Sequence, residues 1–464
     1  MNDAALRLYH RLPSWGKSLA ATARGHYLSF WRYGPDTDRM VEEALEREQW
    51  NAAEWHQWRQ HRLASVLHRA ATRVPYYRAQ WDERKRNGDK RSWEALENWP
   101  VLEKETVRRH GVDLVADDCR RRSMVCEQTS GTTGKPVQLW MSRQTVRCWY
   151  SLFEARCRRW YGLTRRDRWA ILGGQLVVPF GARRPPFWVW NGGLNQLYMS
   201  SYHLAADLIP FYLEALEKYR ITYLLGYTSA LNALAQEALR RGWRQVRMRV
   251  AITNAEPVFP YQRRAIGDAF QCPVRETYGM SEIAAAGSEC GEGRLHEWPE
   301  VGWLEVAEDG ELLVTGLINA DMPLIRYRAG DRLAVVQPQE SCACGRNLPF
   351  LGSIEGRVDD LLYTADGRAV GRLDPLFKAE LPVVEAQIVQ ESLERVRLIY
   401  VPAEGFNAQS GNDLIRRIRD RLGPVEVILE TVESVPRGKN GKFRAVVSRV
   451  SRSEVEEIRL AGRS

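Results

Sequence analysis

Between residues 101 and about 280, short apolar runs alternate with longer segments of helical spacing. The runs at 169–172, 223–225 and 248–252 are too brief for helices, whereas 208–219 and 229–240 carry apolar residues three and four apart. Strand–helix alternation of this kind predicts a layered α/β unit. The periodicity differs on either side. Residues 1 to about 100 are rich in Trp, Arg, Glu and Ala, with helical spacing over 53–71 interrupted at Pro75-Tyr76-Tyr77. Residues 300–355 have β character at 302–306, 310–314 and 332–336, separated by Gly and Asp turns.

A further change follows Gly356-Arg357-Val358-Asp359-Asp360. Strand patterns near 384–390, 396–401 and 425–430 surround a helical stretch over 413–422. A chain of 464 residues exceeds one ordinary core. The expected fold is α/β: a large layered N-terminal domain with a β-rich subdomain, and a small mobile α+β C-terminal domain. The corresponding boundaries are 1–100 for a helical extension of the large domain, 101–358 for its main body and 359–464 for the small domain.

Charge narrows the partners. The 67 Lys and Arg residues exceed the 58 Asp and Glu residues, giving a formal net charge of +9. The excess is spread along the chain and suits small anionic substrates such as nucleotides. A nucleic-acid-binding module would concentrate it in stripes, so no nucleic-acid partner is expected. No apolar stretch approaches the ~20 residues of a spanning helix, and the first residues lack a signal-peptide core. A cytoplasmic protein without membrane insertion is the expectation, and a homodimer is compatible with it. Eight cysteines in 464 residues do not form a disulfide scaffold.

Chemistry enters with Gln128-Thr129-Ser130-Gly131-Thr132-Thr133-Gly134-Lys135-Pro136. Clustered Gly, Ser and Thr supply hydroxyl and backbone N–H donors suited to phosphate oxygens. The spacing is not that of the common phosphate loop, which requires Gly at the position of Thr129 and Ser or Thr at that of Pro136. Four more motifs follow: Tyr278-Gly279-Met280-Ser281-Glu282, then Pro323 through Asp331, then Gly356 through Asp360, and finally Pro436-Arg437-Gly438-Lys439-Asn440-Gly441-Lys442.

In this order the motifs resemble the superfamily of AMP-forming adenylating enzymes, which includes acyl-CoA synthetases, adenylation domains and luciferases. Arg73-Val74-Pro75-Tyr76-Tyr77-Arg78 and Trp99-Pro100-Val101-Leu102-Glu103-Lys104 are similar to the phenylacetate–CoA ligase branch. The resemblance implies an acid–thiol ligase that uses ATP and Mg²⁺ to make an acyl-adenylate from a small carboxylic acid, with coenzyme A as acceptor. It implies that Ser130, Gly131, Thr132, Thr133, Gly134 and Lys135 contact the ATP phosphates. Asn254, Ala255, Glu256 and Pro257, with Tyr278, Gly279, Met280 and Ser281, would surround adenine. Glu282 would hold Mg²⁺ with Thr132 or Thr133, Asp331 the ribose hydroxyls, and Arg357 ribose or phosphate. Asp359 matches the hinge, and Lys442 the catalytic lysine that stabilises charge at the α-phosphorus.

Cys290, His296, Cys342 and Cys344 form Cys-x5-His and Cys-x-Cys pairs in Gly-containing turns, a donor set fit for structural zinc. Some members of the resembled branch carry zinc here; unlinked thiols are the alternative. Cys119, Cys126, Cys148, Cys157 and Cys272 read as small core residues. Trp188, Trp190, Tyr198, Tyr202, Gly226 and Tyr227 are read as an aromatic acyl pocket, with ordinary core packing as the alternative. The chain departs from the phenylacetate enzymes at Leu176-Val177-Val178-Pro179 and at Thr364 through Arg368. Two further readings therefore stay open: an amine or hydroxyl acceptor in surface-polysaccharide biosynthesis, and an inactive nucleotide-binding relative.

Overall fold

The computed structural model describes residues 8–128, 137–179, 182–256, 258–308, 310–333, 341–352, 354–355, 362–370, 382–433, 435, 446–451, 454–455 and 458. Strands β1 (Val125–Gln128) and β2 (Gln138–Met141) pair antiparallel, and the centre is an eight-stranded sheet built from β3 (Trp169–Gly173), β4 (Trp188–Asn191), β5 (Gln196–Ser200), β6 (Tyr223–Tyr227), β7 (Ala251–Asn254), β8 (Val274–Gly279), β9 (Ala286–Glu289) and β10 (Leu295–Glu297). Their order is β10-β9-β8-β7-β6-β3-β5-β4. The run β5-β3-β6-β7-β8 is parallel, and β4 and β9 pair antiparallel at its flanks.

Both faces of the run are covered at its centre, so β3 and β6 are apolar almost throughout, whereas β8 carries Arg275, Glu276 and Thr277 and is mostly half-buried. In β6, Leu224 packs on the face covered by the helices Ile209–Lys218, Thr228–Arg240 and Pro260–Phe270, among Tyr212, Leu231 and Phe270. Tyr223 and Leu225 point the other way, into a cluster with Val41, Val146 and Leu152 from the helices Thr37–Arg47 and Arg143–Phe153. The two-residue period of a strand distributes one run of apolar residues between two cores.

A four-stranded antiparallel sheet, β11 (Gly302–Val306), β12 (Glu311–Gly316), β13 (Tyr327–Leu333) and β14 (Ile354–Glu355), stands beside the main sheet. The helices Ala52–Arg73 and Pro75–Arg86 close its core, placing Leu63, Leu67, Tyr77 and Trp81 against Val314, Leu324 and Tyr327. Asn51 caps the first helix in a capping box with Glu54. Pro75 opens the second, where its missing N–H costs nothing.

The C-terminal region holds the hairpin β15 (Leu362–Tyr363) and β16 (Ala369–Val370). It also holds a four-stranded sheet in the order β19-β18-β17-β20, from Val383–Gln390 (β17), Arg395–Pro402 (β18), Glu426–Thr431 (β19) and Val446–Ser448 (β20). The helix Ala408–Leu422 packs on it through Leu414, Ile418 and Leu422.

Two expectations change. The strand expected over 248–252 begins at Ala251, because Met248 and Val250 are core residues of the approach to the sheet rather than part of its ladder. Of the five cysteines read as small core residues, Cys157 is buried in a core and Cys119, Cys148 and Cys272 are half-buried against one, whereas Cys126 is exposed.

Candidate nucleotide-binding site and metal cluster

The parallel strands end together. Tyr227 closes β6, Asn254 closes β7 and Gly279 closes β8. Crevices beyond the carboxyl ends of parallel strands are where ligands bind in open α/β sheets. A cavity of about 340 Å³ lies there, lined by Tyr227, Asn254, Ala255 and the whole 278–281 stretch. The helix Arg143–Phe153 contributes Trp149 and Tyr150, and Trp298 closes the far wall at 5.3 Å from Trp149. A flat, aromatic-walled crevice suits a purine.

Local backbone explains the shape. Ala255 adopts φ +62, turning the chain sharply after β7. Glu256 then folds back on the helix Thr228–Arg240, accepting from the Ser229 N–H at 2.7 Å and from the Ser229 hydroxyl at 3.1 Å. A carboxylate at a helix N-terminus is favourable there. This side chain is occupied in structure, while Asn254 and Ala255 face the cavity.

Two acidic residues from the sequence motifs approach the same place. Tyr278 donates its phenolic hydrogen to Asp331 Oδ2 at 2.8 Å, tying β8 of the main sheet to β13 of the smaller one. Glu282 accepts from the Tyr327 hydroxyl at 3.0 Å and lies 3.8 Å from Lys104 Nζ, with its side chain 9% exposed. Its carboxylate supplies the hard oxygen that Mg²⁺ prefers. Ser130, Gly131, Thr132, Thr133, Gly134, Lys135, Pro257, Arg357, Asp359 and Lys442 lie outside the described residues.

Beyond Tyr227 is a second cavity of about 420 Å³, lined by Tyr202 and Ser229 from the large domain and by Arg368, Arg419 and Arg421 from the C-terminal region. Tyr227 lines both cavities. Arg421 covers the Tyr202 ring at 4.2 Å, and Arg368 donates to the Arg421 carbonyl at 3.3 Å. Burial, with the neighbouring Arg421 charge, lowers the Arg368 pKa against the pull of Asp366. Arg368, Arg419 and Arg421 gave no signal in the sequence, and neither did Trp149, Tyr150 or Trp298.

The aromatic residues read as an acyl pocket separate into two groups. Tyr202 and Tyr227 line cavities. Tyr198 is half-buried and accepts from the Gln175 N–H at 3.2 Å, and Gly226 sits tightly beside the β3 backbone at Leu172. Trp188 and Trp190 lie on edge strand β4, where Trp188 packs edge-on to Tyr212 and Trp190 stacks on Tyr219. Neither tryptophan is among the described lining residues of the two cavities.

The Cys/His set does converge. One ligand atom each from Cys290, His296, Cys342 and Cys344 lies within 4.8 Å of the others. Cys290 Sγ and Cys342 Sγ are 3.8 Å apart, and Cys344 Sγ is 3.4 Å from His296 Nε2. Tetrahedral zinc with ~2.3 Å sulfur and ~2.0 Å nitrogen bonds spaces its ligands by about 3.8 and about 3.5 Å. His296 Nδ1 lies 3.0 Å from the Leu348 carbonyl. Donating a hydrogen there leaves Nε2 as the ligand atom, the second-sphere arrangement common to metal-bound histidines.

The loop that carries Cys342 and Cys344 is tied to Glu48, the residue that follows the helix Thr37–Arg47. Arg346 donates to Glu48 at 2.9 Å; Glu48 accepts from Arg156 at 3.3 Å, and Arg156 forms two bonds to Glu300 at 2.7 and 2.9 Å. Arg156 is fully buried, turned inward by a π-helical segment, Glu154–Arg158. Asn347 extends the contact through its N–H to the Glu48 carbonyl at 2.8 Å.

Residues 57–308 match the AMP-binding enzyme family, and 362–449 match the CapK C-terminal domain. Protein CapK of Staphylococcus aureus is 28% identical over 377 residues, covering 76% of this chain and 80% of the relative. A phenylacetate–coenzyme A ligase of Thermus thermophilus is 25% identical over 457 residues, covering 87% and 98%. Among solved structures, a 2-hydroxyisobutyryl-CoA ligase in complex with 2-HIB-AMP and CoA superposes with a TM-score of 0.56 at 21% identity, covering 87% of this chain and 91% of that one. The chain belongs to the AMP-binding enzyme family of adenylate-forming enzymes, in its phenylacetate–coenzyme A ligase-like branch.

Proposed function

We propose that this protein activates a carboxylic acid with ATP as an acyl-adenylate, releases pyrophosphate, and passes the acyl group to coenzyme A. The observation that carries the reading is the cavity at the ends of β6, β7 and β8, where Asn254, Ala255 and Tyr278 through Ser281 meet beside the Tyr278–Asp331 bond.

In this reading adenine lies between the 254–255 turn and Tyr278, and Asp331 accepts from the ribose hydroxyls. Ser130, Thr132, Thr133 and Lys135 hold the phosphates, and Glu282 with Thr132 holds Mg²⁺, which neutralises phosphate charge when bound. The substrate carboxylate attacks the α-phosphorus and the bond to pyrophosphate breaks. Lys442, brought in by closure of the small domain at Asp359, stabilises the charge that develops. Arg357 supports the nucleotide from the junction. Zinc is assigned to Cys290, His296, Cys342 and Cys344 as a structural ion, because four protein ligands close a tetrahedral site. The site of action is the cytoplasm, where ATP is available.

A second reading keeps the adenylation step and exchanges the acceptor for an amine or hydroxyl of a surface-polysaccharide precursor. It is favoured by the CapK C-terminal match over 362–449, the region that supplies Arg368, Arg419 and Arg421 to the second cavity. Both readings are tested by supplying ATP, Mg²⁺ and an acid that supports turnover, with and without coenzyme A, and identifying the product by mass spectrometry. A coenzyme A thioester is the expected product. Adenylate that accumulates and is discharged only by amines or hydroxyl acceptors would support the second reading instead.

A further inference from the structure

The helix Ser14–Arg32 is amphipathic in the reverse of the usual sense. Its inner face is made of small and hydroxyl-bearing residues seated against the edge of the main sheet. Ser18 Oγ accepts from the Trp190 N–H at 3.2 Å, and Thr22 Oγ1 accepts from the Gly192 N–H at 3.0 Å. Gly25 is buried against Asn191, and the Gly193 backbone lies against His26, leaving no room for a Cβ at either glycine. Trp31, near the helix's C-terminal end, packs against a core, but the rest of the large apolar side chains point largely outward. Trp15 is 72% and Leu19 65% exposed on the helix, and Leu8, just before it, is 66% exposed.

Large apolar side chains are rarely left in water when a buried face is available. Seven are exposed among the described residues, and five of them, including Tyr27 and Phe30, fall between residues 8 and 30. This is a continuous stripe, since positions 15, 19, 23, 27 and 30 recur at helical spacing. Phe30 is partly covered by Arg143, whose guanidinium stands 3.2 Å from the ring centre; Trp15 and Leu19 have no such cover in the contacts described.

Charge identifies the occupant. Residues 4–35 contain no Asp or Glu, yet include Arg7, Arg11, Lys17, Arg24 and Arg32. A Trp- and Leu-bearing face flanked by cations matches an interfacial helix that lies in the headgroup region of an anionic bilayer. A second copy of the chain would bring the same positive charges together across the contact, which disfavours self-association through this face. No helix of the described residues is long and apolar enough to cross a membrane, so the geometry is that of lying on the surface.

We propose that the Ser14–Arg32 helix docks this enzyme on anionic lipid surfaces through Trp15, Leu19 and the preceding Leu8. Docking would bring edge strand β4 up to the bilayer. The 174–179 loop would come with it, because Tyr9 donates to the Val177 carbonyl at 3.3 Å.

The test is co-sedimentation of the full chain with vesicles of phosphatidylcholine containing 40 mol% phosphatidylglycerol, against pure phosphatidylcholine, with light scattering in parallel. The expected result is about tenfold or greater partition onto the anionic vesicles, reversed by 0.5 M salt. Trp15→Glu/Leu19→Glu should lower that partition about tenfold while leaving the melting temperature and the rate of adenylation unchanged. Both side chains are exposed, so the variant should fold, and the comparison of lipid compositions needs no variant. The proposal is overturned if the wild-type chain stays in solution with anionic vesicles, binds neutral ones equally, or binds as well after the double substitution. A dimer that the double substitution dissociates, without vesicle binding, would assign the face to a second copy.

Discussion

The hydroxyl of Tyr278 donates to the carboxylate of Asp331 at 2.8 Å, joining residues 53 positions apart on two different sheets. Both belong to motifs that the sequence presents separately. Their bond holds one carboxylate oxygen of Asp331 against a residue that lines the cavity.

Removing that hydroxyl should therefore loosen Asp331 without opening the cavity. Tyr278→Phe keeps the ring and loses one bond to a charged acceptor, worth about 1.5–3 kcal/mol. The expected consequence is an increase of about tenfold in the ATP KM, with the KM for the acid little changed. Steady-state kinetics with each substrate varied checks this; an unchanged ATP KM would separate the pair from nucleotide binding.

The Cys/His cluster predicts one zinc per chain by elemental analysis of protein purified without added metal. Cys342→Ser or Cys344→Ser should lose the ion and lower the melting temperature, since the loop that carries Arg346 and Asn347 would release Glu48. Leaving Glu48 with fewer partners in a buried network is costly. A metal-free protein with an unchanged melting temperature would contradict the assignment.

Glu276 makes stability depend on pH. Burial, reinforced by the neighbouring Glu289 and opposed by Arg263, raises its pKa to about 7. The folded protein thus holds this proton more tightly than the unfolded chain. The stabilisation is complete below the unfolded carboxylate range, and is lost as pH rises through about 7. Glu276→Gln stays neutral throughout. It should gain on the order of 2 kcal/mol relative to wild type between pH 5 and pH 8, seen as a smaller fall in melting temperature across that range.

Much of this was legible in the sequence because it rests on local signals. The helical spacing over 53–71 appears as Ala52–Arg73, and the β patterns at 302–306 and 396–401 appear as Gly302–Val306 and Arg395–Pro402. The motif at 278–282 stands out by its residue order, although its contacts are long-range: Tyr278 reaches Asp331, and Glu282 reaches Tyr327 and Lys104. Edge strand β4 was missed: its tryptophans suggest a pocket lining, but their partners, Tyr212 and Tyr219, lie on a helix and its C-terminal end more than twenty residues away. The buried chain Arg346–Glu48–Arg156–Glu300 was equally invisible, because it joins residues nearly 300 positions apart. Long-range packing decides such pairs, and local composition carries no trace of them.

The central claim is that the cavity lined by Asn254 and Tyr278, with Asp331 bonded to Tyr278 beside it, holds ATP for attack by a carboxylate. ATP–pyrophosphate exchange measured across a panel of carboxylic acids tests it most directly, because the exchange needs no acceptor. The account predicts acid-dependent exchange by the wild-type chain. It also predicts a fall of about a hundredfold or more in Lys442→Ala with ATP binding retained, and weakened ATP binding in Asp331→Ala. Exchange at the wild-type rate in both variants, or exchange that ignores every acid while ATP binds, would contradict it.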